Sequence, residues 1–230
     1  MTASPIERPC RQRGFSLLEL SLVMVILALL SSGMLASLSS QRASSETQEA
    51  LRQLDTAREA LYGFAMTHGR LPCPATPTQA NTASNAGREN CALQHGVLPW
   101  AELALPEADP WGRRFTYHAG SQFTAALTNG ALTSFTLATT GTANVKDAAS
   151  ASYNIAADLP AVILSHGKSG AGAYQPSGIK LTGASGDEAE NADADLTFIA
   201  HTSTAQFDDL VVWIIPAILK ARMVSVGKLP

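Results

Sequence analysis

Residues 13–32 read RGFSLLELSLVMVILALLSS. From Leu17 to Leu38 there are 22 residues, and Glu19 is the one ionisable side chain among residues 15–41. As a helix that run is about 33 Å long at ~1.5 Å per residue, the thickness of a bilayer's hydrocarbon core. A carboxylate inside such a helix costs roughly 2.5–3.5 kcal/mol to insert and by default has a functional partner. The acid two residues into the run therefore needs an explanation. Arg8, Arg11 and Arg13 precede it against Glu7. That bias favours a cytoplasmic N-terminus with everything after residue 40 exported.

Length and basic flank alone leave three readings. A secretory signal would be cut near Ser31-Ser32-Gly33, an uncleaved anchor would keep the whole run, and both leave Glu19 incidental, snorkelling to the headgroups. The third reading comes from the local pattern. RGFSLLEL, with its basic leader, glycine, phenylalanine and a glutamate five residues after the glycine, resembles the prepilin signature of type IV pilins and type II secretion pseudopilins. The resemblance implies cleavage by prepilin peptidase between Gly14 and Phe15 and N-methylation of Phe15. The new amine lies four residues from Glu19, a neighbouring-face spacing on a helix. Between stacked helices the amine of one subunit can meet the carboxylate of the next, and burying the pair is tolerable where burying either charge alone is not. Many pilins bend this segment at a proline. Here the first proline after the leader is Pro72, so a bend is absent or falls at Gly33 with its flanking serines.

Residues 42–67, RASSETQEALRQLDTAREALYGFAMT, set Leu51, Leu54, Arg58, Leu61 and Phe64 or Ala65 on one stripe, with Glu49, Arg52, Asp55 and Glu59 elsewhere. This predicts an amphipathic continuation of the same helix, stopping near Gly69 and needing a domain to cover its stripe. Downstream, strand-like runs alternate with turns: 113–119, 122–127, 134–140, 160–167, 196–202 and 207–215, followed by a short helix over 217–227. A long helix followed by an antiparallel sheet is an α+β plan, and the pilin family shares it. The expected organisation is a leader (1–14), a transmembrane and assembly half-helix (15–40), an amphipathic half (41–68) and a periplasmic sheet domain (69–230). Asp109-Pro110-Trp111-Gly112 carries good turn chemistry and is similar to a Pro-Trp-Gly segment of pseudopilins.

Three cysteines are an awkward number for an exported chain. The prepilin cut removes Cys10 and leaves Cys73 and Cys91, best read as a disulfide closing a loop rich in Pro, Asn, Thr and Ala. No Cys-x-x-Cys spacing suggests redox chemistry. Between Asp187 and Asp195 lie six acidic or amide side chains. Some pseudopilins have a calcium-holding acidic loop at the corresponding place, which implies Asp187, Asp193 and Asp195 as first ligands. The spacing is not that of an EF-hand, and a solvated acidic loop is the favoured account of it.

Other chemistries lack their parts. ILSHGKSGAG has Val162 where a nucleotide loop needs glycine, and no helix is expected after it. Ser165 and His166 are adjacent, hence on opposite faces of a strand, and no Gly-x-Ser-x-Gly elbow exists. A net charge of −3 offers no basic face for nucleic acid. The sequence thus points to a non-enzymatic subunit of a type IV pilus or type II secretion filament, a minor one by its length and Ala/Thr/Ser-rich loops. Its partners would be prepilin peptidase, other pilin or pseudopilin subunits and inner-membrane lipid. It would be a single-pass protein of the bacterial inner membrane, N-terminus cytoplasmic and C-terminal domain periplasmic, before it enters the filament. The rival is an exported binding or adhesive domain on a conventional signal anchor.

Overall fold

The structure, a computed structural model, describes residues 16–128 and 130–230, with the backbone alone for residues 30–40. Helix α1 spans Leu17–His68. Ser16 caps it, its hydroxyl oxygen accepting the Leu18 N–H at 3.3 Å. The helix crosses Gly33 without interruption and stops where Gly69 adopts φ +74°, the left-handed conformation that ends many helices. The chain divides into two units, residues 1–45 and 46–230. In the first, Leu17, Leu18, Glu19 and Leu20 are exposed, as is every described apolar side chain through Leu29. Among the described residues no helix is long and apolar enough to cross a membrane. The side chains of the expected Leu17–Leu38 span are described only through residue 29.

The second unit is layered. Strands β1 (His95–Val97), β2 (Thr116–Ala119), β5 (Ala161–Ser165) and β7 (Leu210–Trp213) form an antiparallel sheet in the order β1-β2-β5-β7. A three-stranded sheet, β4-β3-β6, is made of β3 (Ala143–Lys146), β4 (Ala156–Leu159) and β6 (Thr197–Ile199). Its β3–β6 pair is parallel, unlike the all-antiparallel expectation. Alternation gives the four-stranded sheet two apolar faces. Tyr117, Ala119, Ala161 and Ile163 pack with Leu54, Ala57, Leu61, Tyr62 and Ala65 of α1. Val162 and Leu164 pack with Ala143, Val145, Leu159 and Phe198 of the smaller sheet.

The buried stripe of α1 runs Ala50, Leu54, Ala57, Leu61, Ala65, with Tyr62 beside it. Leu51, expected inside, is exposed, and Arg58 pairs with Asp55 at 2.9 Å on the flank. Small side chains at every other stripe position let the helix backbone approach the sheet. The terminal helix α5 (Pro216–Ser225) starts with proline in its first turn and buries Leu219 and Met223 in the same core. Arg222 forks onto Glu59 at 2.6 and 3.1 Å and lies over the Tyr62 ring, while Tyr62 Oη accepts the Ile215 N–H.

Two expected strands are not strands. Residues 122–127 begin inside the single turn α3 (Ser121–Thr124), and 134–140 form turns. Phe123 and Phe135 of these segments meet ring to ring, 4.9 Å apart, inside the helix-side core. Their apolar residues therefore serve as plugs for the core. Two further single turns are α2 (Trp100–Leu103), ahead of the Asp109 turn, and α4 (Asp187–Glu190), in the acidic segment.

Candidate functional site

Gly14 and Phe15, the expected cleavage and methylation positions, lie outside the described residues, as does the leader with Cys10. Glu19 sits in the first turn of α1 with an exposed side chain. There a carboxylate meets the positive end of the helix dipole and is open to a partner.

Cys73 and Cys91 are joined in a disulfide with Cα atoms 5.0 Å apart. The loop between them is pinned at both ends. Glu89 takes a two-pronged Arg70 guanidinium at 2.8 and 2.6 Å and the Cys73 N–H at 3.0 Å. The Arg70 hydrogen bond holds the Glu89 carboxyl below the usual range despite desolvation. Farther along, Arg114 is fully buried. It donates to Pro77 O, Gln79 O, Pro176 O and Glu107 Oε1, with Trp100 stacked 4.6 Å away. One guanidinium thus ties three loops together. Trp100 also lies over Gly87, where an added Cβ would come within 2.3 Å of the indole.

The turn at Asp109 closes as its residues predict. Gly112 N–H donates to Asp109 O at 2.9 Å, and Asp109 Oδ1 accepts the Trp111 and Arg113 N–H groups. Trp111 Nε1 donates to Glu46 on α1. The second Asp109 oxygen accepts the Ser165 hydroxyl at 2.6 Å. Ser165 is thereby a structural partner of the turn, and it does not meet a histidine as a nucleophile would.

The acidic segment behaves differently from its sequence appearance. Asp187 accepts the Ala149 N–H and faces His201 Nε2 at 3.3 Å. Asp193 accepts the Asp195 N–H, and Asp195 accepts the Thr197 N–H. These three do not present their oxygens to one point. Among the described residues, the acidic side chains that do are Glu188, Asp208 and Asp209, whose carboxylate oxygens lie within 4.8 Å of one another. The β5–β7 pairing, which sets Ser165 opposite Leu210, brings the two consecutive aspartates to the His166–Gly172 turn. There Ser169 donates its N–H and hydroxyl to Asp208 at 2.7 and 2.9 Å. Gly167 has φ +56°, and a Cβ there would come 2.2 Å from the Asp208 carbonyl oxygen.

Asp209 is the unusual member. It is 3% exposed, and one carboxyl oxygen accepts from Asn191 Nδ2 at 2.8 Å. Asn191 also bridges both backbone groups of Ile199. The other Asp209 oxygen has no hydrogen-bond partner and lies 3.8 Å from His166 Nδ1, which has none either. Burial pushes Asp209 up to about 8 and His166 down to about 3, so desolvation favours the neutral form of both groups. His166 Nε2 meets the Thr116 hydroxyl at 3.0 Å on the wall of a cavity of about 80 Å³ shared with His95, Lys180 and Asn191. Sequence reading missed this set because its members come from four separate segments. The one local signal was the doubled acid ahead of the apolar LVVW run.

Compared with known proteins, residues 9–35 match the family model of the prokaryotic N-terminal methylation motif. No curated protein and no solved structure matches the chain.

Proposed function

We infer, from a chain that carries the hallmark motif of type IV pilins and pseudopilins, that it is a prepilin-like structural subunit of a type IV pilus or type II secretion pseudopilus. The motif marks a substrate of prepilin peptidase with a membrane-anchored N-terminus. In this reading the peptidase cuts between Gly14 and Phe15, the Phe15 amine is methylated, and Glu19 pairs with the amine of a neighbouring subunit. The anchor stores the subunit in the inner membrane, with its sheet domain in the periplasm, until helix packing draws it into the filament as a minor component. It works by assembly and not by catalysis.

The observation that carries the reading is the motif itself, glycine–phenylalanine followed by Glu19 at the head of α1. Its test is the intact mass of membrane-extracted protein from cells with and without the peptidase. Loss of residues 1–14 and gain of one methyl, only with the peptidase present, is the expected result. A chain starting near residue 34, or uncut in both strains, would replace the reading with an exported domain on a conventional signal or anchor.

Calcium belongs to the proposal at one donor set. Both oxygens of Asp187 and one each of Asp193 and Asp195 already have partners, and among the described residues the three do not converge on one point. Glu188, Asp208 and Asp209 converge, and one buried Asp209 oxygen accepts no hydrogen bond, which leaves its lone pairs to a cation. A bound calcium ion would supply the positive charge that three gathered carboxylates lack. Millimolar calcium is expected to raise the melting temperature of wild-type protein stripped with EGTA and to leave Asp209→Asn unmoved. Equal melting with and without calcium in the wild type would remove the ion from the proposal.

A further inference from the structure

Three of the five histidines of the chain gather on the face of the four-stranded sheet that the smaller sheet covers. His95 and His118 stand opposite each other across the β1–β2 ladder, ring centres 5.6 Å apart. Phe198 of β6 lies against both, at 5.9 and 6.0 Å, and is parallel to His95 within 5°. His118 is 1% exposed. Neither of its ring nitrogens, nor Nδ1 of His95, has a hydrogen-bond partner. His118 thus packs as an apolar ring at the seam between the two sheets, with the half-buried His95 beside it. Buried polar atoms left this way are stable only uncharged.

The charges around the pair do not help a proton settle. Lys180, held to the Ala192 carbonyl at 2.7 Å and over the Tyr174 ring, bears on His95. His95 in turn bears on His118. His166 lies on the same cavity wall, with Arg113 beyond it, and the buried Asp209 sits on its far side. Burial first, then Lys180 for His95 and His95 for His118, hold both down to about 4, with the Gln94 backbone pulling His118 only weakly the other way.

We propose that His95 and His118 form an acid-sensitive latch between the two sheets, whose protonation releases the layer of β3, β4 and β6 while the helix-packed core stays folded. The layer is the weaker partner by construction. Its strands are three or four residues long, and its core holds one fully buried aromatic ring, Phe198, with Trp213 only partly buried against it. Neither histidine belongs to the core that joins the four-stranded sheet to α1 and α5.

The sign follows from linkage. Both folded values lie below the ordinary 6.5, so the closed form refuses a proton that the open form accepts. Closure is favoured above pH 6.5 and weakens as pH falls towards 4. Between pH 6.5 and 4.5 each ring raises the opening constant about 40-fold, and the pair about a thousandfold. An exported domain takes its pH from outside the cytoplasm, so such a latch would report external acidity.

Hydrogen exchange on the full chain in detergent, corrected for intrinsic rates, tests this at pH 7.5, 6.5 and 4.5. Amides of β3, β4 and β6 should lose at least about a thousandfold in protection between pH 6.5 and 4.5, with Tyr117 and Ile163 unchanged. His118→Phe keeps the ring and removes the proton site, so the loss should shrink about 40-fold. In His95→Phe/His118→Phe it should shrink about a thousandfold, leaving only what His166 on the same wall adds. His95→Gln/His118→Gln, which lacks both latch rings, serves if the phenylalanines disturb folding, and it should show the same reduction. Unchanged protection in the wild type at pH 4.5, or opening in either double variant equal to wild type, would overturn the latch.

Discussion

Arg114 shows how much one residue can organise. Its side chain is fully buried and Glu107, its ion partner, keeps 23% exposure. The remaining N–H groups go to carbonyls of loops 77–79 and 176. Removing one partner of a buried pair costs about 3–5 kcal/mol, and here three carbonyls also lose their donors. Arg114→Ala should therefore lower the urea-unfolding free energy by about 3–5 kcal/mol. Arg114→Lys should recover only part of it, because an ammonium cannot reproduce the planar fork. A loss under ~1 kcal/mol, the range of an exposed pair, would show that the loops hold themselves. Glu89 makes a second case with a pH signature. Arg70 keeps its folded pKa below the ordinary 4.5, so the stability it contributes is present above pH 4.5 and lost as pH falls through the lower folded value. Glu89→Gln should cost about 1.5–3 kcal/mol at pH 7, the range of a charge-assisted bond. It should also flatten the acid limb of the stability profile below pH 4.5. An unaltered acid limb would assign that limb to other carboxylates.

At the scale of elements, what could be read from the sequence was what is written locally. The long helix, its stop at Gly69, the Asp109 turn, the strands centred on 116–119, 161–165, 197–199 and 210–213 and the closing helix all carry their own periodicity or turn chemistry. Strands β3 and β4, ANVK and AADL, do not. Weak β formers become strands there because each finds a partner from a distant segment, a choice made by packing and not by propensity. The converse error, reading 122–127 and 134–140 as strands, came from apolar composition without the information that Phe123 and Phe135 pack on each other. The acidic site divides the same way. Glu188 lies in a conspicuous acidic run, whereas Asp208 and Asp209 join it only through the β5–β7 register. The disulfide loop looked short of packing, yet Arg114 and Glu89 hold it. Since a cross-link acts chiefly on the unfolded chain, reduction should still cost about 3 kcal/mol for a loop of this length. The Ala75–Val97 bridge should nevertheless stay protected from hydrogen exchange in the reduced, folded protein. Loss of that protection on reduction would make the bond, and not the arginine, the fastener.

At the scale of the whole molecule, folding and assembly use different residues, and this can be tested at Glu19. All described core residues lie between Ala50 and Leu229, and both core clusters fall within residues 46–230. Glu19 is exposed and belongs to the other unit. As a first-turn acid it gains about 0.3–1 kcal/mol from the helix dipole, which Glu19→Ala would forfeit locally. The sheet domain's melting should not move. If the carboxylate exists to receive a neighbour's methylated amine, the same substitution should leave membrane insertion and cleavage intact while incorporation into filaments falls below detection. Glu19→Asp separates the two roles, because it keeps the charge for the dipole but shortens the reach to a partner. It should keep the helix end and assemble poorly. Normal filament incorporation of Glu19→Ala would leave the dipole as the acid's whole role, and the apolar run would then be no more than an anchor.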